Sequence, residues 1–236
     1  MDKHKILQNA KRFGIVNEAP IPDEWDKTAF SRKDAKPRFS FKKMVDYARQ
    51  NASTLGRGSS RVVVEVEHQG RPTALKIAMN KKGEEQNNIE ADYMMHQMYG
   101  GSVIVPVIDW DEENDMPLWI HYEKADKLSK PQFQQLTGIK FDYFISAVIN
   151  RINEVKGNRS QKWYTGDVPE EEMEKINELE LYHDIIDLCI NFDIVPNDFV
   201  QIKNWGVYGG QPVIVDIGFS SYVMKEFYDK QKKNIR

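Results

Sequence analysis

The chain has 236 residues, of which 40% are hydrophobic, 29% charged and 11% aromatic, the balance of a folded globule and not of a disordered or fibrous chain. Its 33 basic and 36 acidic residues leave a formal charge of −3, so no general attraction to nucleic acid or to an anionic membrane is expected. A single cysteine, Cys189, excludes an intrachain disulfide, and the five histidines show no zinc-ligand spacing.

The opening segment MDKHKILQNAKRFG lacks the apolar stretch of a signal peptide, and no later run approaches membrane-spanning length. A soluble protein of a reducing cytoplasm is expected. Residues 1–40, broken by APIPDEW and DAKPRF, are expected to form an arm of unreadable role; Trp25, Phe39 and Phe41 are its candidates for docking onto the chain or onto a partner. In FKKMVDYAR the residues Phe41, Met44, Val45 and Ala48 recur at helical spacing, and the Ser/Gly-rich NASTLGRGSS after it predicts a loop.

Two runs of strand character, RVVVEVEHQG and RPTALKIAMN, flank a turn at Gln69 and Gly70 and predict a β-hairpin. A helix follows through Ile89, Tyr93, His96 and Gln97, with Gly100 and Gly101 as its stop. Two more strands around an acidic turn at Glu112–Asp115 give the order β-β-α-β-β for residues 55–125, after which the sheet is expected to end. Phe133 and Leu136 predict a short helix closed by Gly138, and the stripe Phe141, Phe144, Ile145, Val148, Ile152, Val155 predicts a long core helix. VKGNRSQKWYTGD is expected to be a loop. One further helix is expected to start near Asp167 and Pro169 and run through Met173, Ile176, Leu179, Ile186 and Ile190.

Three places carry chemistry. In Leu55-Gly56-Arg57-Gly58-Ser59-Ser60-Arg61 the glycines would let backbone N–H groups approach phosphates, although an ordinary glycine turn has the same composition. Lys76 lies in the apolar strand Ala74-Leu75-Lys76-Ile77-Ala78, where a buried ammonium needs a partner; Glu90, 14 residues on, is preferred over Glu84 and Glu85. Near the C-terminus Asp198, Asn204 and a hairpin ending in Val213-Ile214-Val215-Asp216-Ile217-Gly218 place oxygen donors where a strand ends, as a Mg²⁺ site requires.

In this order the motifs resemble the protein-kinase-like superfamily from residue 55 to about residue 220, and the run around Glu90 together with Asn204-Trp205-Gly206 is similar to the divergent kinase-like proteins encoded by tailed bacteriophages. The resemblance implies an α+β, bilobal protein-kinase-like fold: an arm over 1–40, a small antiparallel β-sheet N-lobe over 41–125 and a reduced, mainly helical C-lobe over 126–236. It implies ATP and Mg²⁺ as cofactors, a protein or small-molecule hydroxyl as acceptor, and a host cytoplasm as the compartment. Gly56 and Gly58 would cover the phosphates, Lys76 paired to Glu90 would bind them, and Tyr122, Glu123 and Ala125 would form the hinge at adenine. Asp198 would orient the acceptor hydroxyl, with Asp193 as fallback, and Asn204 and Asp216 would hold the metal.

The chain departs from the pattern in four ways. The third glycine is replaced, with Ser60 and Arg61 in its neighbourhood; five residues, not four, separate Asp198 from Asn204; Pro196-Asn197 stands where His-Arg is usual; and the 18 residues after Gly218 hold no Ala-Pro-Glu segment. A Ser/Thr protein kinase-like enzyme is the leading expectation. The alternatives are a pseudokinase that docks to a partner, a small-molecule kinase of the aminoglycoside or choline type, and a nucleotidyl transferase.

Overall fold

The computed structural model describes residues 21–34, 39–96, 103–157, 167–196 and 198–229. The fold is mixed α+β and divides into two compact units. One holds the described residues up to 96 together with Pro106–Lys124; the other holds 103–105 and the chain from Ala125 onward.

The first unit is organised by its hairpin. Gln69 and Gly70 adopt φ of 52° and 75°, the left-handed pair that a two-residue hairpin turn needs to match strand twist. This turn sets the register of β2 (Arg61–His68) against β3 (Arg71–Ala78), unbroken from His68↔Arg71 to Arg61↔Ala78. Side chains alternate between the two faces of a strand, so Val62, Val64 and Val66 share a face with Leu75 and Ile77, while Arg61 and Val63 share the other with Lys76 and Ala78. β4 (Val107–Trp110) and β5 (Trp119–Glu123) complete an antiparallel sheet of order β1-β2-β3-β5-β4. Between β4 and β5, Asp111 accepts from the N–H groups of Glu113, Asn114 and Leu118. Burial pushes its carboxyl up, against the pull of these bonds.

Where NASTLGRGSS predicts a loop, the structure has β1 (Thr54–Arg57), an edge strand on β2. Its side chains give no alternating apolar signal, since Leu55 is exposed; backbone pairing alone makes it a strand, with an irregularity between Thr54 and Gly56.

The valine face of the sheet is covered by α1 (Phe41–Asn51), which buries Met44, Val45 and Ala48, and by part of the expected arm. Ile21, Trp25 and Phe30 join the same core. Trp25 stacks on Phe30 with 5.6 Å between ring centroids and meets the Tyr47 ring edge-on, while Tyr47 Oη accepts the Asp26 N–H at 2.7 Å. Residues 21–34 are therefore a packed layer of this unit. The other face of the sheet carries α2 (Lys81–His96); Gln97, Gly100 and Gly101, expected at its end, lie outside the described residues.

In the second unit Ser129 caps α3 (Lys130–Thr137) and Gly138 closes it at φ 75°. The expected long helix is α4 (Phe141–Lys156), which buries Phe141, Phe144, Ile145, Val148 and Ile152; Val155 is exposed. The loop predicted after it falls mostly outside the described residues. The single helix expected from Pro169 to Ile190 is instead two, α5 (Glu170–Asn177) and α6 (Glu180–Asn191). At about 100° per residue a continuous helix would aim Ile176 away from Tyr182, Ile185 and Cys189, yet all four are buried. The break at Glu178 and Leu179 turns both faces inward.

The hairpin expected ahead of Asp216 is present, and a third strand, not expected after residue 125, pairs with it. β6 (Asp126–Lys127), β7 (Trp205–Tyr208) and β8 (Gln211–Ile214) form a second antiparallel sheet, with β7 and β8 joined through Gly209 and Gly210 at φ 58° and 80°. Two exposed residues, Asp126 and Lys127, carry no hydrophobic pattern that could announce β6. A short α7 (Ser221–Met224) follows Asp216 and Gly218. Among the described residues no helix is long and apolar enough to cross a membrane.

Replacing Trp25 by Ala should lower the stability measured by urea denaturation by about 3–5 kcal/mol, the cost of emptying a core aromatic site; a change below about 0.5 kcal/mol would contradict the docking of residues 21–34. Cys189 is fully buried and its thiol is pushed up to about 12. It should resist a disulfide reagent at pH 8 in the native protein and react at once in denaturant; prompt native labelling would refute this burial.

Candidate functional site

The first unit builds a buried polar cluster from four elements. The hairpin register pairs Lys76 with Val63, so Arg61, two residues along β2, is its diagonal neighbour on the same face. On the other side β5 pairs Ala74 with Tyr122 and Lys76 with Ile120, which makes Tyr122 a diagonal neighbour too. Above these three side chains α2 brings Glu90, fully buried.

Glu90 binds all three. Its Oε2 accepts from Lys76 Nζ at 2.9 Å and from the Tyr122 hydroxyl; its Oε1 accepts from Arg61 Nη1 at 2.8 Å and from Lys76 Nζ at 3.2 Å. Lys76 Nζ also lies 4.3 Å from the centre of the Tyr122 ring, a cation–π contact, and Arg61 Nη1 reaches Asn87 Oδ1 at 3.4 Å. Asn87 is fixed in turn by donating to the Pro117 carbonyl at 3.1 Å. Arg61 and Lys76 are 5% and 7% exposed, so these charges meet in a medium where an unpaired partner would be costly. Of the alternative partners for Lys76, Glu84 is held by Arg32.

The glycine segment is tied to the same helix. Gly56 lies in β1 and Gly58 in the turn to β2, where its N–H donates to Arg61 O at 2.9 Å; neither position is crowded. Ser60 Oγ donates to Gln86, and Ser60 O accepts from Met79 N at 2.7 Å. A Cβ on Gly83 would stand 2.2 Å from the Ser60 carbonyl oxygen, so only glycine lets the first turn of α2 lie against this segment. Of the expected hinge residues, Tyr122 sends its side chain to Glu90, Glu123 donates its N–H to Pro106 O at 2.9 Å and pairs with Arg71, and Ala125 belongs to the second unit.

In the second unit a loop closes on itself ahead of β7. Asn204 Nδ2 donates to Asp198 O, Asn204 N to Gln201 O at 2.9 Å, and Trp205 Nε1 to Phe199 O at 2.6 Å. Val215 N donates to Asn204 O at 2.9 Å, which sets Asn204 beside the residue preceding Asp216. Asp216 is half-buried and one of its oxygens accepts from Gly218 N at 3.4 Å. Asn204 Nδ2 is spent on Asp198 O, and among the described residues no group of three or more His, Cys, Asp or Glu that could hold a metal ion is found. Asp193, the fallback base, has φ 54° and is engaged by Ser221 Oγ and by Lys156 at 3.5 Å.

Trp205 anchors this loop. Its ring meets those of Phe133, Phe141 and Phe144 at 5.6–6.1 Å, and a Cβ on Gly206 would come within 2.7 Å of Ala125 Cβ, so the glycine admits β6 at close range. The residues missed in the sequence are Arg61, Tyr122 as a side-chain ligand of Glu90, Gly83 and Trp205. Only Arg61 had a usable signal, because a two-residue turn at 69–70 fixes which face it shares with Lys76.

Compared with known proteins, the chain matches no family model, and no curated sequence matches it significantly.

Truncating Glu90 to Ala strands two buried cations and should cost about 3–5 kcal/mol, whereas Lys76→Met leaves Glu90 bound to Arg61 and Tyr122 and should cost less. Urea denaturation of both variants checks this; the reverse order would show that Glu90 is not the centre of the cluster.

Proposed function

We propose that the chain is an ATP- and Mg²⁺-dependent phosphotransferase with a bilobal protein-kinase-like fold, which moves the γ-phosphate of ATP to a hydroxyl, in the first instance of a Ser/Thr protein substrate. The observation that carries this reading is the buried Lys76–Glu90 pair, 2.9 Å long, between a central strand and the helix packed on it. A lysine held in this way is a fixed point charge for α- and β-phosphates, and its orientation is settled before the ligand arrives.

Two sets of residues divide the reaction between them. The first binds: Gly56 and Gly58 cover the phosphates without side-chain obstruction, Lys76 neutralises phosphate charge, and the segment Tyr122–Ala125 meets the adenine. The second orients: Asp198 accepts the proton of the attacking hydroxyl, and the loop pinned by Trp205 keeps Asn204 beside the strand end that bears Asp216. Asn204 and Asp216 would hold Mg²⁺, which when bound offsets the charge of the phosphates. The transferred group passes from the β-phosphate oxygen of ATP to the acceptor oxygen, and ADP is released.

Incubation with γ-labelled and, separately, α-labelled ATP tests the reading, with Asp216→Ala as control. A transferred γ-label that falls at least about 100-fold in the variant is expected. Label from the α position alone would replace phosphate transfer by nucleotide transfer; ATP binding with no label on any protein or on aminoglycoside or choline acceptors would favour a pseudokinase.

A further inference from the structure

The carboxylate of Glu90 serves two cations, and the reaction proposed above gives a task to only one. Arg61 follows Gly58 by three residues, at the point where the glycine segment enters β2. Its own carbonyl oxygen closes the turn by accepting from Gly58 N. A phosphate chain lying along Gly56 and Gly58 toward Lys76 therefore passes Arg61, whose side chain shares a face with Lys76.

We propose that Arg61 is a second phosphate-binding cation of this site, held on Glu90 Oε1 until a polyphosphate arrives and then exchanging carboxylate for phosphate oxygen. The identity of the ligand rests on the phosphotransferase reading; the chemistry of the exchange does not. When Arg61 leaves, Glu90 keeps Lys76 Nζ and the Tyr122 hydroxyl on Oε2, so no buried carboxylate is abandoned. The guanidinium suits the task. Its planar fork binds two phosphate oxygens at once, and its weak hydration makes its burial at 5% exposure tolerable. Asn87 Oδ1 beside Nη1 offers a neutral acceptor that steadies the group without competing for its charge. The ligand class is a di- or triphosphate, either of a nucleotide or inorganic.

A residue that only clamps Glu90 would affect all ligands alike, whereas a phosphate ligand acts in proportion to the phosphates present. Calorimetric titration of the full chain with ATP, adenosine and inorganic tripolyphosphate, each with Mg²⁺, separates the two. Arg61→Gln should weaken ATP and tripolyphosphate about 10- to 100-fold and leave adenosine unchanged. Unaltered ATP affinity in the variant, or an equal loss for adenosine, would overturn the proposal and leave the nucleotide site standing. Tripolyphosphate binding that depends on Arg61, in a wild-type chain with no affinity for ATP, would keep the phosphate ligand and discard the nucleotide. Binding of neither by the wild type would discard both. Should Arg61→Gln fail to fold, the guanidinium ¹⁵N resonance of Arg61 in the wild type decides: it shifts on saturation with tripolyphosphate if the exchange occurs, and a constant resonance refutes it.

Discussion

A carboxylate with no solvent access is the constraint around which the first unit is built. Glu90 sits at 0% exposure, where an ionised side chain survives only if cationic and hydroxyl donors surround it. Those donors come from β2, β3 and β5, so the three strands must pair in one register and α2 must lie at one height above them. A slip of a single residue along β2 would send Arg61 to the valine face and a valine to the carboxylate. The turn at Gln69 and Gly70 and the bare Gly83 beside Ser60 are the local devices that hold the register and the height.

Features that depended on local pattern were open to reading in the sequence. The hairpin could be placed because its valines alternate and its turn carries a glycine, and α4 because six apolar residues recur at helical steps. What escaped was structure imposed from elsewhere in the chain. β1 is a strand only because β2 offers it a backbone edge, and β6 only because Gly206 lets β7 approach. The break between α5 and α6 was hidden for a related reason: Ile176, Leu179, Ile186 and Ile190 do fit one helical stripe, but Leu179 caps α6 and the buried face of that helix centres on Tyr182, Ile185 and Cys189. A period computed across a break describes neither helix.

The candidate site divides along the same line. Lys76 announced itself as a charge among apolar neighbours, and Glu90 followed as the acid that a packed helix could present. Arg61 entered only as a neighbour of the replaced third glycine, because an arginine is recognised as buried only once the register places it over an acid. Trp205 and Gly206 were visible as letters in a resemblance; their work, one ring pinned among three phenylalanines and one missing side chain opposite Ala125, belongs to the packed second unit. Asp198 contributes in a way that no spacing rule foresees, since its backbone carbonyl, accepting from Asn204 Nδ2, fixes the direction of the amide oxygen. The extra residue between Asp198 and Asn204 is accommodated inside a loop with its own hydrogen bonds, so the altered spacing does not separate the two.

The reading rests on the buried Lys76–Glu90 pair as a fixed point of phosphate binding. Backbone amide resonances followed by NMR during titration with ATP and Mg²⁺ test it most directly. Gly56, Gly58 and Lys76 should shift together along one saturation curve with one apparent Kd. Unmoved resonances at Lys76 and the two glycines at saturating nucleotide would contradict a phosphate site built on this pair.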